Sequence, residues 1–305
     1  MQMNEKQRIE TAETINVAYL LLVHNNPEQL NMFLRQILSY GKGDIYIHVD
    51  KKNQKMVKEL ITDDRITVIS KYEVKWASFE MMAATIDLMK LAADSGRPYT
   101  HVYYGSGNDL LVKKGMYEHL AGHPGELFMQ IHGEIGPREP YAARYRIRWS
   151  SKLMVRDNFH PYRFVRWFYH IMFRFGIVLN ENKVPIEFKH IYRGSQWFVI
   201  PMEAMRYCVD YIGAHPEYLE YWRQTLAPDE FLFQTIILNS PYREKVKPSL
   251  MYLRIKNDLI NHNHPETITS EKIGEIEASG CFCARKFDLG TDRAVIEHFL
   301  DATAV

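Results

Sequence analysis

The fold of this chain is decided by residues 17–50, VAYLLLVHNNPEQLNMFLRQILSYGKGDIYIHVD. The apolar run at 17–23 is typical of a strand buried on both faces, and the alternating run at 44–50 is typical of a second strand. Between them, residues 27–40 predict a helix, with Asn26 as its N-cap and Gly41 as its stop. This order predicts a parallel α/β unit, whose ligands bind beyond the carboxyl ends of the strands. Asp50 lies at one of these ends.

The same alternation of elements continues beyond residue 50. Strands are predicted at 66–70, 101–105, 128–131 and 194–200, and helices at 79–93 and 203–212. Residues 138–166 contain seven arginines among aromatic residues and show no clear period. We therefore predict an α/β fold with a mostly parallel sheet flanked by helices. Residues 1–16 form a polar extension and 17–305 a single domain, with a first half at 17–125 and a second half at 126–305.

Composition excludes several classes of protein. With 305 residues, 46% of them hydrophobic, the chain can bury one large core. Its 38 basic and 37 acidic residues give a formal charge of +1, so no overall basic surface indicates a nucleic-acid partner. Three cysteines indicate a reducing compartment. The polar residues 1–16 contain neither the apolar core of a signal peptide nor a membrane span, so we expect a cytoplasmic protein.

Two short segments carry residues suited to catalysis. The turn LAPDEFLFQT (226–235) places Asp229 and Glu230 directly before an apolar run, and FCARKFD (282–288) places Arg285 and Lys286 between aromatic residues. One carboxylate could serve as a base and the two cations could bind an anion. The residues alone also allow simpler interpretations, in which the acids cap a helix and the cations lie on a solvated loop.

Seven strings of the sequence occur in an order that identifies a family. They are AYLLLVH, IYIHVDKK, VKWASFEMMAATIDLM, YGSGNDLLVKK, RGSQWFVI, APDEFLFQTIILNS and FCARKFD, and they extend from about residue 17 to residue 288. The chain thereby resembles the core-2/I-branching β-1,6-N-acetylglucosaminyltransferase family, which includes the peptide O-xylosyltransferases. The resemblance implies a glycosyltransferase A-type, Rossmann-like fold, a UDP-sugar donor and inversion at the anomeric carbon. It makes 17–125 the nucleotide-binding half and 126–305 the acceptor-binding and catalytic half. It also implies no divalent metal and no other cofactor, and this chain contains no Asp-x-Asp motif.

The resemblance assigns the catalytic and acceptor-side residues. Glu230 matches the general base of the branching enzymes, and Asp229 beside it is then the helix cap. In the xylosyltransferases the base is an aspartate at the position of Gln196, and an amide cannot accept the proton. Ser195, Gln196 and Trp197 are expected on the acceptor side, with Trp197 as a wall of the site or, alternatively, a buried strand residue.

The resemblance also assigns the donor side. Arg285 and Lys286 match the pair that holds the diphosphate. Asp50 and Trp76 match positions that contact uracil, and packing in the core is the alternative for Trp76. The remaining donor residues are Val23 and His24, which close the same pocket, and Asp109, which matches an acid near the donor sugar.

One phosphate-binding arginine of the family has no evident counterpart here. The segment upstream of FCARKFD contains His262 and His264 but no arginine, and Arg254 lies earlier than the family pattern requires.

Residues 159–179, FHPYRFVRWFYHIMFRFGIVL, place three arginines among many aromatic residues. This composition is too charged to span a bilayer. It fits a lid that packs over the acceptor cleft, or an interfacial helix that makes peripheral contact with anionic lipid. Animal relatives carry a membrane anchor of which this chain shows no sign, so the resemblance favours a bacterial protein, at most peripheral at the inner face of the membrane.

The predicted function is an inverting, metal-independent glycosyltransferase. It moves a sugar, with N-acetylglucosamine favoured, from a UDP-sugar to a glycan or glycolipid hydroxyl. The alternatives are a UDP-xylose-dependent transferase, a glycoside hydrolase that uses Asp109 with Glu230, and an inactive carbohydrate-binding protein.

Overall fold

The computed structural model of this chain describes residues 14–155, 157, 160–256 and 264–305. The predicted extension at 1–16 lies outside this range except for its last three residues. The described strands are β1 Val17–Val23, β2 Gly43–Val49, β3 Ile66–Ile69, β4 His101–Ser106, β5 Leu110–Leu111, β6 Leu127–Glu134, β7 Tyr192–Pro201, β8 Val246–Lys247, β9 Met251–Leu253, β10 Ile255–Lys256, β11 His264–Pro265 and β12 Cys283–Arg285. The described α-helices are α1 Pro27–Tyr40, α2 Phe79–Asp94, α3 Met116–Gly122, α4 Ala143–Arg146, α5 Pro161–Arg174, α6 Met202–Ala214, α7 Pro216–Arg223, α8 Leu232–Leu238, α9 Ile273–Ala278 and α10 Arg293–Ala302.

Seven strands form the central sheet, in the order β3-β2-β1-β4-β7-β6-β8. Strands β1 to β4 are mutually parallel, β7 runs antiparallel to both of its neighbours, and β8 is parallel to β6. Helices lie on both faces of this sheet. The predicted α/β fold class with a mostly parallel sheet is therefore confirmed.

A hydrophobic core lies on each face of the sheet. Strand β1 contributes Ala18 and Leu20 to the core beneath α2, α6 and α8, and contributes Tyr19 and Leu21 to the core beneath α1, α3 and α10. Because β1 is buried on both faces, its sequence is a continuous apolar run without alternation. Both cores contain residues from the two predicted halves of the chain.

Two buried glutamines on α1 bind the C-terminal part of the chain. The Gln29 amide donates to the carbonyl of Phe287 at 3.1 Å and accepts from the Leu289 N–H at 2.7 Å. The Gln36 amide donates to the Thr303 hydroxyl at 2.6 Å. Fully satisfied amides of this kind fix the segment that follows β12 against α1.

The predicted elements agree most closely in the first half of the chain. Helix α1 begins after Asn26, whose side chain accepts from the Gln29 N–H, and it ends before Gly41. Strand β6 is twice as long as the predicted strand at 128–131. The prediction was too short because two register shifts against β7 interrupt the alternation of side chains along β6. Helix α5 lies within the segment at 159–179, of which Phe159 is outside the described residues.

Gly194 is required where β7 passes close to β6. A Cβ atom at Gly194 would lie 2.4 Å from the carbonyl oxygen of Gln130, which is backbone and cannot rotate away. We predict that Gly194→Ala lowers the free energy of unfolding by about 1–3 kcal/mol, as overpacking does. Gly213→Ala is the control, because a Cβ there meets no atom within 4 Å on helix α6 and should leave stability unchanged or raise it by up to ~1 kcal/mol.

Urea unfolding monitored by circular dichroism measures both variants. If Gly194→Ala is as stable as the unsubstituted chain, the prediction is wrong, and β6 and β7 can move apart without a cost in free energy.

Candidate active site

A cleft of about 370 Å³ opens beyond the carboxyl ends of β1, β2 and β4. This is the place at which parallel α/β sheets bind their ligands. Eight of the residues predicted for the site line it: Val23, His24, Asp50, Trp76, Gln196, Trp197, Arg285 and Lys286. They come from distant parts of the sequence and from both predicted halves. The other lining residues are Leu22, His48, Val74, Lys75, Met81, Ser106, Asn108 and Pro265.

The floor of the cleft at the end of β2 is polar. Asp50 is buried and caps the 3-10 helix Lys51–Glu59 by accepting from the Lys52 N–H at 3.0 Å. His48 accepts from the backbone N–H groups of Lys71 and Tyr72 at its Nε2 atom, so the proton of the neutral ring lies on Nδ1. Burial lowers the pKa of His48, which favours this neutral form. Its place inside an alternating strand gave no sign of a site residue.

Arg285 is a buried cation in the cleft wall. Its guanidinium carbon lies 3.7 Å from the centre of the Trp197 ring. Its Nη2 atom donates to the Ser106 hydroxyl at 3.2 Å, and its Nε atom lies 3.5 Å from an oxygen of Asp109. Within the described residues its Nη1 atom has no hydrogen-bond partner. An unsatisfied buried donor is costly unless a ligand supplies an acceptor, and a phosphate oxygen is well suited to a guanidinium.

Asp109 lies behind Arg285 and not in the cleft wall. It is fully buried and accepts from the Ser106 N–H and hydroxyl, both at 2.9 Å, and from the Tyr103 hydroxyl at 3.1 Å. Burial raises the pKa of Asp109, although Arg285 and these hydrogen bonds oppose the shift. The structure therefore corrects the expected contact with the donor sugar. Asp109 holds Arg285 in position, and it cannot face a sugar together with Glu230.

The acidic turn lies beside the cleft. Residues Pro228–Glu230 form a 3-10 turn before α8. The Ala227 N–H donates to the carbonyl of Ala77 at 2.9 Å, and the Gln234 amide donates to the carbonyl of Ser195 at 2.8 Å. Ala77 follows Trp76, and Ser195 precedes Gln196, so both contacts are made to segments that line the cleft. Ser195 itself is half-buried and does not line the cleft.

Backbone strain is concentrated at the first of these contacts. Ala77 and Ala227 both adopt the left-handed conformation, with φ of 59° and 55°. This conformation costs an alanine on the order of 1 kcal/mol. Such strain persists only where the surrounding structure enforces it, and it is frequent at functional sites.

Two arginines hold the Glu230 carboxylate. Its Oε2 atom accepts from Arg193 Nε at 2.6 Å, and its Oε1 atom lies 3.0 Å from Arg144 Nη1. Both guanidinium groups lie over the ring of Tyr141, at 4.2 Å for Arg193 and 5.1 Å for Arg144. Burial alone would raise the pKa of Glu230, but the two arginines outweigh it and lower the pKa. With 26% of its side chain exposed, Glu230 is an ionised carboxylate within reach of solvent.

The prediction that Asp229 caps a helix is wrong. Phe231 occupies the N-cap position of α8, with no side-chain cap, and Asp229 Oδ1 is buried without a hydrogen-bond partner in the described part of the chain. Asp229 lies inside the 3-10 turn Pro228–Glu230, two residues before the N-cap position of α8. Burial, and then the neighbouring charge of Glu230, raise the pKa of Asp229. The turn thus holds two carboxyl groups with opposite pKa shifts.

The two arginine partners of Glu230 were not among the predicted site residues. Arg193 opens the string RGSQWFVI, so its position beside the predicted acceptor residues was a usable signal. Arg144 lies in the arginine-rich stretch that showed no period, and nothing local distinguishes it from the other arginines there.

The family's further phosphate-binding arginine finds no counterpart in Arg254. That side chain is exposed, pairs with Glu275 at 2.7 Å and does not line the cleft. His262 lies outside the described residues. His264 forms part of the short strand β11, next to the cleft-lining Pro265.

Helix α5 borders the cleft through Trp76. The Arg166 guanidinium lies 5.0 Å from the centre of the Trp76 ring. Trp76 is 42% exposed and lines the cleft, so it is not a core residue. None of the helices in the described ranges is long and apolar enough to cross a bilayer. The same ranges contain no group of three or more His, Cys, Asp or Glu side chains placed to bind a metal ion.

The chain was compared with curated proteins, with solved structures and with family models. No curated protein matches the sequence. Among solved structures, a protein of Mycobacterium tuberculosis H37Rv (Rv0371c) aligns over 38% of this chain and 64% of its own length, with 13% identity and a TM-score of 0.27. The 4-diphosphocytidyl-2C-methyl-D-erythritol synthase of Anaerococcus prevotii aligns over 87% of this chain and 98% of its own, with 10% identity and a TM-score of 0.37.

The family comparison is decisive. The family described as Core-2/I-Branching enzyme matches residues 17–278, which is most of the chain and includes the cleft wall from β1 to Trp197 and the acidic turn. Glycosyltransferase activity is the activity of that family. The chain is thus a member of the core-2/I-branching enzyme family of glycosyltransferases.

Proposed function

We propose that this glycosyltransferase moves a sugar from a UDP-sugar to a hydroxyl group of a glycan or glycolipid, with inversion and without a divalent metal. The favoured sugar is N-acetylglucosamine. The observation that carries the proposal is Arg285, a buried cation in the cleft wall with an unsatisfied Nη1 donor, next to the cleft-lining Lys286. A nucleoside diphosphate supplies the charge and the acceptor atoms that this wall lacks.

The uridine end of the donor fits the opposite part of the cleft. Trp76 offers an exposed aromatic face, and Asp50 offers a carboxylate at the carboxyl end of β2. Val23 and His24 close this end. Stacking on an aromatic ring and hydrogen bonds to the imide of the base are the interactions that recognise a pyrimidine.

Transfer follows by direct displacement. The acceptor oxygen attacks the anomeric carbon, the bond from that carbon to the phosphate oxygen breaks, and the proton of the acceptor hydroxyl passes to Glu230. Arg285 and Lys286 stabilise the negative charge that develops on the departing diphosphate. Attack from the side opposite the leaving group inverts the configuration.

The arginine pair suits Glu230 to the role of base. By lowering its pKa, Arg144 and Arg193 keep the carboxylate ionised and fix both of its oxygens in position. The cost is a weaker base. This cost is offset because the acceptor hydroxyl becomes more acidic as its oxygen bonds to the anomeric carbon.

The alternatives differ in how far the geometry supports them. A hydrolase needs two carboxylates that face one sugar, and Asp109 is buried behind Arg285. UDP-xylose remains the alternative donor. Gln196 cannot act as the base of a xylosyltransferase, because an amide does not accept a proton; its Nε2 atom donates to the Tyr104 hydroxyl at 2.7 Å. We therefore propose Glu230 as the base with either sugar.

Replacing the base tests the mechanism. We predict that Glu230→Gln keeps UDP affinity but lowers turnover by about 10²–10⁴-fold, because the shape is kept and only the proton acceptor is lost. Turnover is measured as UDP release with an acceptor found by screening soluble saccharides, and affinity by calorimetry. Asp229→Asn is the companion variant. Near-normal turnover of Glu230→Gln with an inactive Asp229→Asn would move the base to Asp229.

The phosphate contacts are tested by comparing two ligands. The double variant Arg285→Ala, Lys286→Ala should lose far more affinity for UDP than for uridine, since the lost contacts are to phosphate oxygens. Arg254→Ala removes an arginine outside the cleft and should change neither affinity. Lys286→Ala alone repeats the test without unpairing the buried Asp109. An equal loss of affinity for UDP and for uridine would show that Arg285 and Lys286 do not contact the phosphates.

Metal independence is tested by chelation. Because Arg285 and Lys286 neutralise the leaving diphosphate and the sequence contains no Asp-x-Asp motif, we expect full transfer activity in excess EDTA and no stimulation by Mn²⁺. Activity that EDTA abolishes and Mn²⁺ restores would instead indicate a metal-dependent transferase, with Asp50 as the accessible carboxylate in the cleft.

A further inference from the structure

The exposed apolar surface of this chain is concentrated on helix α5 and the residues that follow it. Seven of the eleven exposed large hydrophobic side chains of the described residues lie between positions 162 and 177. The most exposed of them are Phe175 at 78%, Trp167 at 63% and Phe164 at 62%. Single exposed apolar residues are normal on a protein surface, but a cluster of this size marks a surface that is covered by something else.

The most exposed residues form one stripe along the helix and its C-cap. Phe164, Trp167, Phe168 and the C-cap Phe175 are exposed and, with the half-buried Ile171, follow the spacing i, i+3, i+4, i+11 and i+7. The opposite face carries Arg166 and Phe173, which are buried. In most surface helices the apolar face packs on the core, whereas the apolar stripe of α5 faces away from the protein. With 14 residues it spans about 21 Å along its axis, which suits a helix lying in a plane and not one crossing a bilayer.

The charged residues that flank this stripe on the helix are basic. They are Arg163 and Arg174, whereas Arg166 lies on the opposite face. Residues 158–180 contain no acidic residue, and the nearest acids in the sequence are Asp157 and Glu181, in a chain whose net charge is only +1. Arginine can bury its alkyl stem at an interface while its guanidinium reaches a phosphate. Aromatic residues beside arginines, without acids, are complementary to the head groups of anionic phospholipids. A protein partner would need its own acidic rim to match.

The inner face of α5 connects this stripe to the active site. Arg166 lies over Trp76 in the cleft wall and donates to the carbonyls of Leu153 and Val155 at 3.2 and 3.1 Å. Trp149 packs against His170, with their ring centres 5.2 Å apart. The helix is thus fixed to the cleft on one side and is exposed on the other.

We propose that the outer face of α5 docks on the surface of a bilayer rich in anionic phospholipid, and that this places the acceptor side of the cleft at the membrane. The second part rests on the proposed transferase function and makes the acceptor a lipid-borne one. The Phe164, Trp167 and Phe168 side chains enter the interface, and Arg163 and Arg174 meet the lipid phosphates.

Vesicle flotation tests the docking without any substrate. The unsubstituted chain should bind vesicles of phosphatidylcholine mixed with phosphatidylglycerol, bind phosphatidylcholine vesicles much less, and dissociate as salt is raised. The double variant Phe164→Ser, Trp167→Ser should lose about tenfold or more in bound fraction, and Arg174→Glu should lose binding only to the anionic vesicles. Equal binding of the double variant, or equal binding to both vesicle types, would overturn the proposal.

Two controls on other surfaces separate this effect from general ones. Leu91→Ser removes an exposed apolar residue from α2, and Arg35→Glu reverses a charge on α1, which packs on the other face of the sheet. Both should bind vesicles like the unsubstituted chain. Analytical ultracentrifugation completes the test. A dimer that the double variant dissociates, with no vesicle binding, would make this face a contact between copies of the chain and would overturn membrane docking.

The same variants separate the docking from the catalytic proposal. The double variant should keep its UDP affinity and its turnover with a soluble saccharide. If the unsubstituted chain does not bind vesicles and the Glu230→Gln variant is inactive, only the docking proposal is contradicted. If the unsubstituted chain binds vesicles and the Glu230→Gln variant is active, only the assignment of the base is contradicted.

Discussion

The burial of Arg285 is the constraint on which the rest of the site depends. A guanidinium taken out of water is costly unless charges and hydrogen bonds compensate for it. Here Asp109 supplies the charge, Ser106 supplies an acceptor, and the Trp197 ring lies beneath the guanidinium plane. The compensation is incomplete, because Nη1 is left without a partner within the described residues. The contacts with Asp109, Ser106 and Trp197 thus hold the Arg285 cation in one position in the cleft wall.

The acidic turn shows how two neighbouring carboxyl groups acquire different properties. Arg144 and Arg193 pair with Glu230 and lower its pKa, whereas burial and the neighbouring charge of Glu230 raise the pKa of Asp229 against a smaller opposing effect of Arg144. The strained Ala77 and Ala227 fix the turn against the cleft wall. Separation of pKa values in a pair of acids is a recurrent way to assign different roles to them.

Much of the fold could be predicted from the sequence because its signals are local. The apolar run of β1, the Asn26 cap and the Gly41 stop each depend on a few consecutive residues. The cleft residues could be predicted as far as they lie at strand ends or in recognisable strings. The pairing of Arg144 and Arg193 with Glu230 could not, because it joins segments that are far apart in the chain. The position of Asp109 behind Arg285 was likewise hidden, since Gly-Asn-Asp looks like an ordinary exposed turn.

The hydrogen bonds from α1 to the C-terminal segment have a consequence for how the protein is made. Gln29 and Gln36 lie in α1, and they are satisfied by Phe287, Leu289 and Thr303. Arg285 is delivered to the cleft by the segment that these amides hold. On the ribosome, the early strands can collapse while residues 283–303 are still inside the exit tunnel, and at that stage the cleft lacks its buried cation. The nascent chain therefore cannot form the proposed diphosphate contact until this segment has left the tunnel and packed against α1.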